Sequence, residues 1–156
     1  MAEVERAGTA EVYKAFIDAV NHQDLEKAAE CVDVVRYREN CVGFTHGFVE
    51  WEQAKSSIRK VWEGMGIPDL HVELAKVVAD DEVAVAYGTV KGRATGRLYG
   101  APATGRGFEV SFFDYVRLAN GRIVERVQQA DVLSQMRQLY SKAVGLVGLG
   151  AMFLRQ

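Results

Sequence analysis

The sequence predicts an α+β domain in which N-terminal helices pack on a curved, mainly antiparallel sheet. Three observations carry this prediction. Apolar residues recur at helical spacing up to Pro68 and alternate with period two beyond it. Asn120-Gly121, a strong hairpin signal, divides the alternating region. Between Gly92 and Gly107, a glycine falls every four or five residues, too punctuated for a helix and suited to a wide turn joining two long strands. Helices first and a meander afterwards describe helices covering one face of a sheet.

The first helix is predicted to begin near Thr9, a residue type that caps helices, with Glu11 favourably placed in the first turn. Val12, Phe16 and Val20, joined by Tyr13 and Ile17, give it one apolar face. Asp24 is placed to cap a short second helix with Leu25, Ala28 and Val32 facing inward. Residues 34–41 read as a strand. A third helix is predicted over 48–65, where Trp51, Ala54, Ile58, Trp62 and Met65 keep helical spacing and Gly66 and Pro68 supply the stop. Alternating segments follow over 70–78, 83–94, 108–118 and 122–133, with Asp80-Asp81 turning the first into the second. A terminal helix or tail is expected from about Ser134.

A chain of 156 residues is expected to form a single domain, 1–156, able to bury a core without disulfides or metal. Its 49% hydrophobic and 26% charged content argues against disorder, and a net charge of −2 argues against a nucleic-acid binder. Cys31 and Cys41 lack metal-ligand spacing and read as buried thiols. Glu3, Glu5, Glu11 and Asp18 break up the N-terminal segment, and the longest apolar stretch, 143–154, is too short to span a bilayer. A cytoplasmic protein with no membrane partner is therefore expected.

Strand parity narrows the search for chemistry, because alternate side chains point to opposite faces. Val110, Phe112, Asp114, Val116 and Leu118 share one apolar face, leaving Glu109, Ser111, Phe113, Tyr115 and Arg117 on the other. In the last strand Ile123, Val127, Asp131 and Leu133 fall together, and Glu125 shares their parity unless a bulge, a sheet edge or a dimer contact releases it. A carboxylate on an apolar face needs a partner or a role. For Asp131 the alternatives are a general base whose basicity is raised by desolvation and a cap for the terminal helix. For Asp114 they are a pocket residue and a salt bridge or turn bond inside the sheet. Tyr13, Phe16, Trp62, Met65 and Phe112 are candidates to line an aromatic pocket, and His46 is a candidate donor to a substrate oxygen. Arg93, Arg97 and Arg106 border the glycine-rich connector, where a solvated edge is the plain expectation.

The connector Gly100-Ala101-Pro102-Ala103-Thr104-Gly105 resembles the corresponding segment of the SnoaL-like polyketide cyclases, a branch of the NTF2-like, or cystatin-like, α+β barrel fold. The resemblance runs from about Met65 to Tyr140. It includes Pro68-Asp69-Leu70, Asp114-Tyr115-Val116-Arg117, Asn120-Gly121-Arg122-Ile123-Val124-Glu125, Asp131 and Gln138-Leu139. It implies a cofactor-free cyclase or isomerase for a hydrophobic, carbonyl-rich small molecule. The acid/base role in an intramolecular aldol closure would fall on Asp131. The family's usual histidine falls on Ala94 and its frequent tryptophan on Val127, so an imidazole is missing at the connector. Cofactor-free hydroxylases and non-catalytic binding domains share this fold and are the alternatives. Relatives also pair through the outer sheet face, which implies a homodimer built on Phe113 and Tyr115. The apolar segment 144–154 is expected to dock on protein.

Overall fold

The computed structural model describes residues 8–41, 47–64, 66–98 and 102–140. Its elements are α1 (Thr9–Asn21), α2 (Leu25–Glu30), β1 (Arg38–Cys41), β2 (Val49–Glu50), α3 (Trp51–Trp62), β3 (His71–Ala79), β4 (Val83–Arg93), β5 (Gly107–Ala119), β6 (Arg122–Ala130) and α4 (Val132–Leu139). The four long strands all follow Pro68, as the change of periodicity predicts. They form an antiparallel meander inside one six-stranded sheet of order β2-β1-β6-β5-β4-β3. The short β1 runs parallel to β6 and antiparallel to β2, so the sheet is mixed, curved and unclosed.

Local chemistry sets the boundaries. The cap of α1 is Gly8 rather than Thr9, which is itself buried in the first turn, while Tyr13, Phe16, Ile17 and Val20 supply the predicted buried face. Asp24 caps α2 as expected, its carboxylate accepting the Lys27 amide at 2.9 Å. The strand expected over 34–41 is shorter. Asp33 accepts the amides of Val35 and Arg36, which locks a turn and leaves Val34 and Val35 exposed. The third helix begins at Trp51 rather than 48, because Glu50 and Gln53 form a reciprocal capping box. Asp80 Oδ1 accepts the amides of Glu82 and Val83 at 2.8 and 2.7 Å, closing the β3–β4 turn. Asn120 and Gly121, with φ of 53° and 73°, close the β5–β6 hairpin as the sequence predicts.

The glycine-rich connector is held against the segment after α3. Thr95 donates to the Gly66 carbonyl through its amide at 2.7 Å and its hydroxyl at 2.6 Å. Gly66 has φ of 63°, and a Cβ there would meet the Gly96 nitrogen at 2.2 Å, so the close approach requires glycine. Ala94 and Leu98 are consequently buried.

One irregularity decides which residues of β6 face the helices. Leu118 pairs with Ile123, but Val116 pairs with Arg126, so β6 carries one extra residue opposite Arg117. This bulge buries Ile123 and Val124 in succession and reverses the parity of all that follows. Arg126 and Gln128 face inward. Glu125, whose placement the simple alternation left awkward, is bonded instead by Arg38 Nε at 2.8 Å.

Buried side chains form two clusters. The larger gathers α1, α2, α3 and the sheet around Phe16, Trp51 and Phe112. The smaller gathers the connector and α4 around Leu98, Phe108 and Met136. Leu70 and Val90 touch both.

Candidate active site

At the seam between the clusters lies a partly enclosed cavity of about 80 Å³, walled by α1, α3, α4 and the inner face of the sheet. Leu70 and Val90 line it, and most of the wall is aliphatic, including Ile17, Val61 and Val132. The polar members are Glu39, Cys41, Ser57, Arg126, Gln128 and Gln135. An apolar chamber with a few convergent polar groups is the usual form of a small-molecule site.

The charged members belong to a buried network spread across three strands. Glu39 on β1 lies opposite Arg126 on β6, and Asp114 on β5, opposite Gln128, lies two pairs along on the same face. Arg126 donates from Nε and Nη2 to Asp114 Oδ2 at 3.1 and 3.0 Å, and from Nη1 to Glu39 Oε2 at 3.4 Å. Tyr13 donates to the same Asp114 oxygen at 2.6 Å, and Tyr37 donates to Glu39 Oε2 at 2.8 Å. The Phe16 ring lies 5.5 Å from the guanidinium carbon. Asp114 is 1% exposed and Arg126 7%. Burial and the neighbouring carboxylates push both tyrosine hydroxyls up, so they remain donors at neutral pH. Burial likewise pushes the Cys41 thiol up. Desolvation opposes the charge on Arg126, but Asp114, Cys41 and Glu39 together more than offset it and hold the guanidinium well above its ordinary value.

The sequence-predicted residues separate into three groups. Tyr13 and Asp114 meet in the network, and Asp114 takes the ion-pair alternative rather than lining the cavity. Phe16, Trp62 and Phe112 are buried in the main core, and the chamber wall is mostly aliphatic, with Phe108 as its aromatic member. His46, Met65 and the segment 144–154 lie outside the described residues. Arg93 donates to the Gly105 carbonyl across the connector, and His71 is exposed.

Asp131 caps α4. Its Oδ1 accepts the Ser134 amide at 2.9 Å, and Oδ2 accepts the Ser134 hydroxyl at 2.6 Å. The bulge puts it on an exposed position, so the desolvation that alternation implies is absent. The two bonds from Ser134, hydroxyl first and amide second, hold its carboxyl below the ordinary value. It nevertheless adjoins the chamber, since its neighbours Ala130 and Val132 both line the wall. Arg126 and Gln128 are the functional candidates that simple alternation does not find, and Glu39 is a third that the sequence analysis does not single out.

The opposite face of the sheet carries an exposed aromatic patch between polar residues. Phe113 and Tyr87 pair across β5 and β4 with ring centroids 5.0 Å apart and are 56% and 44% exposed, beside Val85 and Tyr115. Among the described residues, no helix is long and apolar enough to cross a membrane.

Comparison with known proteins agrees with this architecture. A family model described as SnoaL-like polyketide cyclase matches residues 10–139. No curated protein matches the sequence. Among solved structures, TsrD from Streptomyces laurentii is similar at 28% identity and a TM-score of 0.71, over 87% of this chain and 97% of that one. A SnoaL-like polyketide cyclase from Agrobacterium tumefaciens is similar at 20% identity and a TM-score of 0.70, over 85% and 98%. An NTF2-like protein of unknown function from Burkholderia pseudomallei is similar at 18% identity and a TM-score of 0.70, over 85% and 97%. The fold is α+β and NTF2-like.

Proposed function

The chain belongs to the SnoaL-like polyketide cyclase family, and on that footing we propose that it is a cofactor-independent cyclase or isomerase of a hydrophobic, carbonyl-rich small molecule, with Asp131 as general acid/base. The observation that supports this most is the aliphatic chamber with a small polar network in one wall and a carboxylate adjoining it. The apolar wall suits the carbon skeleton. Asp131, whose pKa the Ser134 bonds lower, is ionised at neutral pH and can accept a proton. A carboxylate is a weak base, but a carbon flanked by two carbonyls is acidic enough to yield to one. The C–H bond breaks, the proton passes to Asp131, and the electron pair becomes an enolate. The enolate carbon then attacks a second carbonyl of the same molecule, and the proton returns to the alkoxide so formed. Mass and oxidation state are unchanged. Positioned acid/base catalysis of this kind contributes about 10²–10⁴-fold.

The bonds from Ser134 favour a second reading, a binding domain in which Asp131 is only a cap. The two are separated by Asp131→Asn, which keeps the cap acceptor and cannot take a proton at neutral pH. Aromatic ketones carrying a 1,3-dicarbonyl side chain and a further carbonyl serve as substrates, followed for isomers of unchanged mass. A fall of about a hundredfold or more supports the enzyme, and unchanged turnover removes Asp131 from it. The protein is further proposed to act in the cytoplasm as a homodimer joined through the aromatic outer sheet face around Phe113.

A further inference from the structure

Arg126 is a buried charge in the chamber wall to which the base chemistry assigns no task. We propose that Arg126 is the group that binds a neutral carbonyl oxygen of the substrate and stabilises the oxyanion that develops there. This deepens the reading of the protein as a carbon-acid enzyme and rests on it.

Four observations converge. First, burying a guanidinium is costly, and apolar residues of similar size often replace a buried ion pair without loss of stability, so packing alone does not call for this one. Second, a guanidinium has five N–H donors. Arg126 makes one bond from each of its three nitrogens, to Asp114 and Glu39, and each terminal nitrogen carries a second N–H while the side chain lines the chamber. Third, the group is preorganised. Asp114 and Glu39 bond it through different nitrogens, its central carbon lies over the Phe16 ring, and Tyr13 and Tyr37 donate to the two carboxyl groups. Fourth, two acidic side chains already face this single cation, which leaves no surplus positive charge to attract a carboxylate ligand. What remains is a rigid pair of donors suited to a ketone or ester oxygen. As Asp131 takes the α-proton, charge moves onto that oxygen and the N–H bonds strengthen. Oxyanion donors act this way whether or not they carry net charge, as backbone amides show, and each is worth about 10²–10³-fold.

The test is binding to the full chain of acetophenone labelled with ¹³C at the carbonyl, with benzoate as the acidic counterpart, followed by NMR. The expected result is saturable binding of the ketone. Its carbonyl resonance should lie downfield of its position in an apolar solvent, and benzoate should bind at least tenfold more weakly. Arg126→Gln should lose the downfield shift, whereas Gln128→Leu and Asp131→Asn should keep it, since binding a ketone requires no proton transfer. Because Arg126→Gln strands two buried carboxyl groups, Arg126→Lys is measured alongside; it keeps the charge, lacks the fork, and should show a reduced shift. The wild-type spectrum decides even where both variants unfold. A bound carbonyl resonating as in an apolar solvent, benzoate binding as tightly as the ketone, or no saturable binding overturns the assignment. Unchanged turnover in Asp131→Asn together with a retained Arg126-dependent shift would instead refute the proposed base and leave the carbonyl site standing.

Discussion

Removing Arg126 should expose how far the buried network depends on its own members. In Arg126→Met the aliphatic stem is replaced almost in kind, and the guanidinium alone disappears. Asp114 then keeps only the Tyr13 hydroxyl at 2.6 Å, and Glu39 loses its cation while keeping Tyr37 at 2.8 Å. Stranding one partner of a buried ion pair costs about 3–5 kcal/mol, so the single variant should lose at least that much. Asp114→Asn removes the closer counter-ion, but Glu39 still faces the guanidinium. Its cost should be nearer 2–3 kcal/mol, about that of hydrogen bonds to a charged group. Combining Asp114→Asn with Arg126→Met removes both charges of the tighter pair at once. The double variant should be less destabilised than the sum of its singles by about 1.5–3 kcal/mol, as coupled neighbours are. Urea unfolding of each variant, with the slope held common, reads these differences directly. A loss under about 1 kcal/mol for Arg126→Met, or strict additivity in the cycle, would refute the claim that these side chains stabilise one another.

Two further outcomes follow from the site and from the sheet. Asp131→Ala should cost about 1 kcal/mol through loss of the cap. Because Ser134 depresses the folded-state pKa of Asp131, its contribution is present above the unfolded value near 4 and is lost as the pH falls through the lower folded value. The gap in thermal midpoint between wild type and Asp131→Ala should therefore narrow in acid, and a gap independent of pH would contradict the bonding seen at Ser134. On the outer face, Phe113→Glu should convert a dimer to a monomer by sedimentation velocity without shifting the far-ultraviolet circular dichroism, and a wild-type chain sedimenting as a monomer would refute the aromatic face as an interface.

Most of the long-strand half is legible in the sequence because its signals are local. The Asp80 turn, the Asn120-Gly121 hairpin and the alternation from Val110 to Leu118 each state their own geometry. Errors arise where a side chain competes with the expected backbone. Asp33 draws the next amides into a turn, and Glu50 with Gln53 delays the third helix. The largest error concerns β6, where counting in twos from Ile123 carries Val127 and Asp131 to the inner face. The adjacent apolar pair Ile123-Val124 is the only local trace of the bulge that reverses this count. Without the bulge, Arg126 and Gln128 read as solvent residues and Asp131 as a desolvated base. Glu39 has a readable signal in the spacing Tyr37, Glu39, Cys41, which puts it among buried neighbours. The resemblance to the cyclases points to Asp131 but carries no information about Ser134, whose hydroxyl and amide lower the pKa of that carboxyl.

Taken strand by strand, Glu39, Asp114 and Arg126 each look like a misplaced charge on an apolar face. The register across β1, β6 and β5 makes them mutual partners. That arrangement exists only if the parallel pairing of β1 with β6 and the bulge opposite Arg117 form together. A one-residue slip at either place would turn Arg126 or Glu39 to the opposite face and leave a buried partner unpaired, at a cost of several kcal/mol. The network therefore penalises wrong registers of the strand that also presents Ala130 and, one residue on, Asp131 beside the chamber. The polar wall and the geometry of the proposed base are set by the same register.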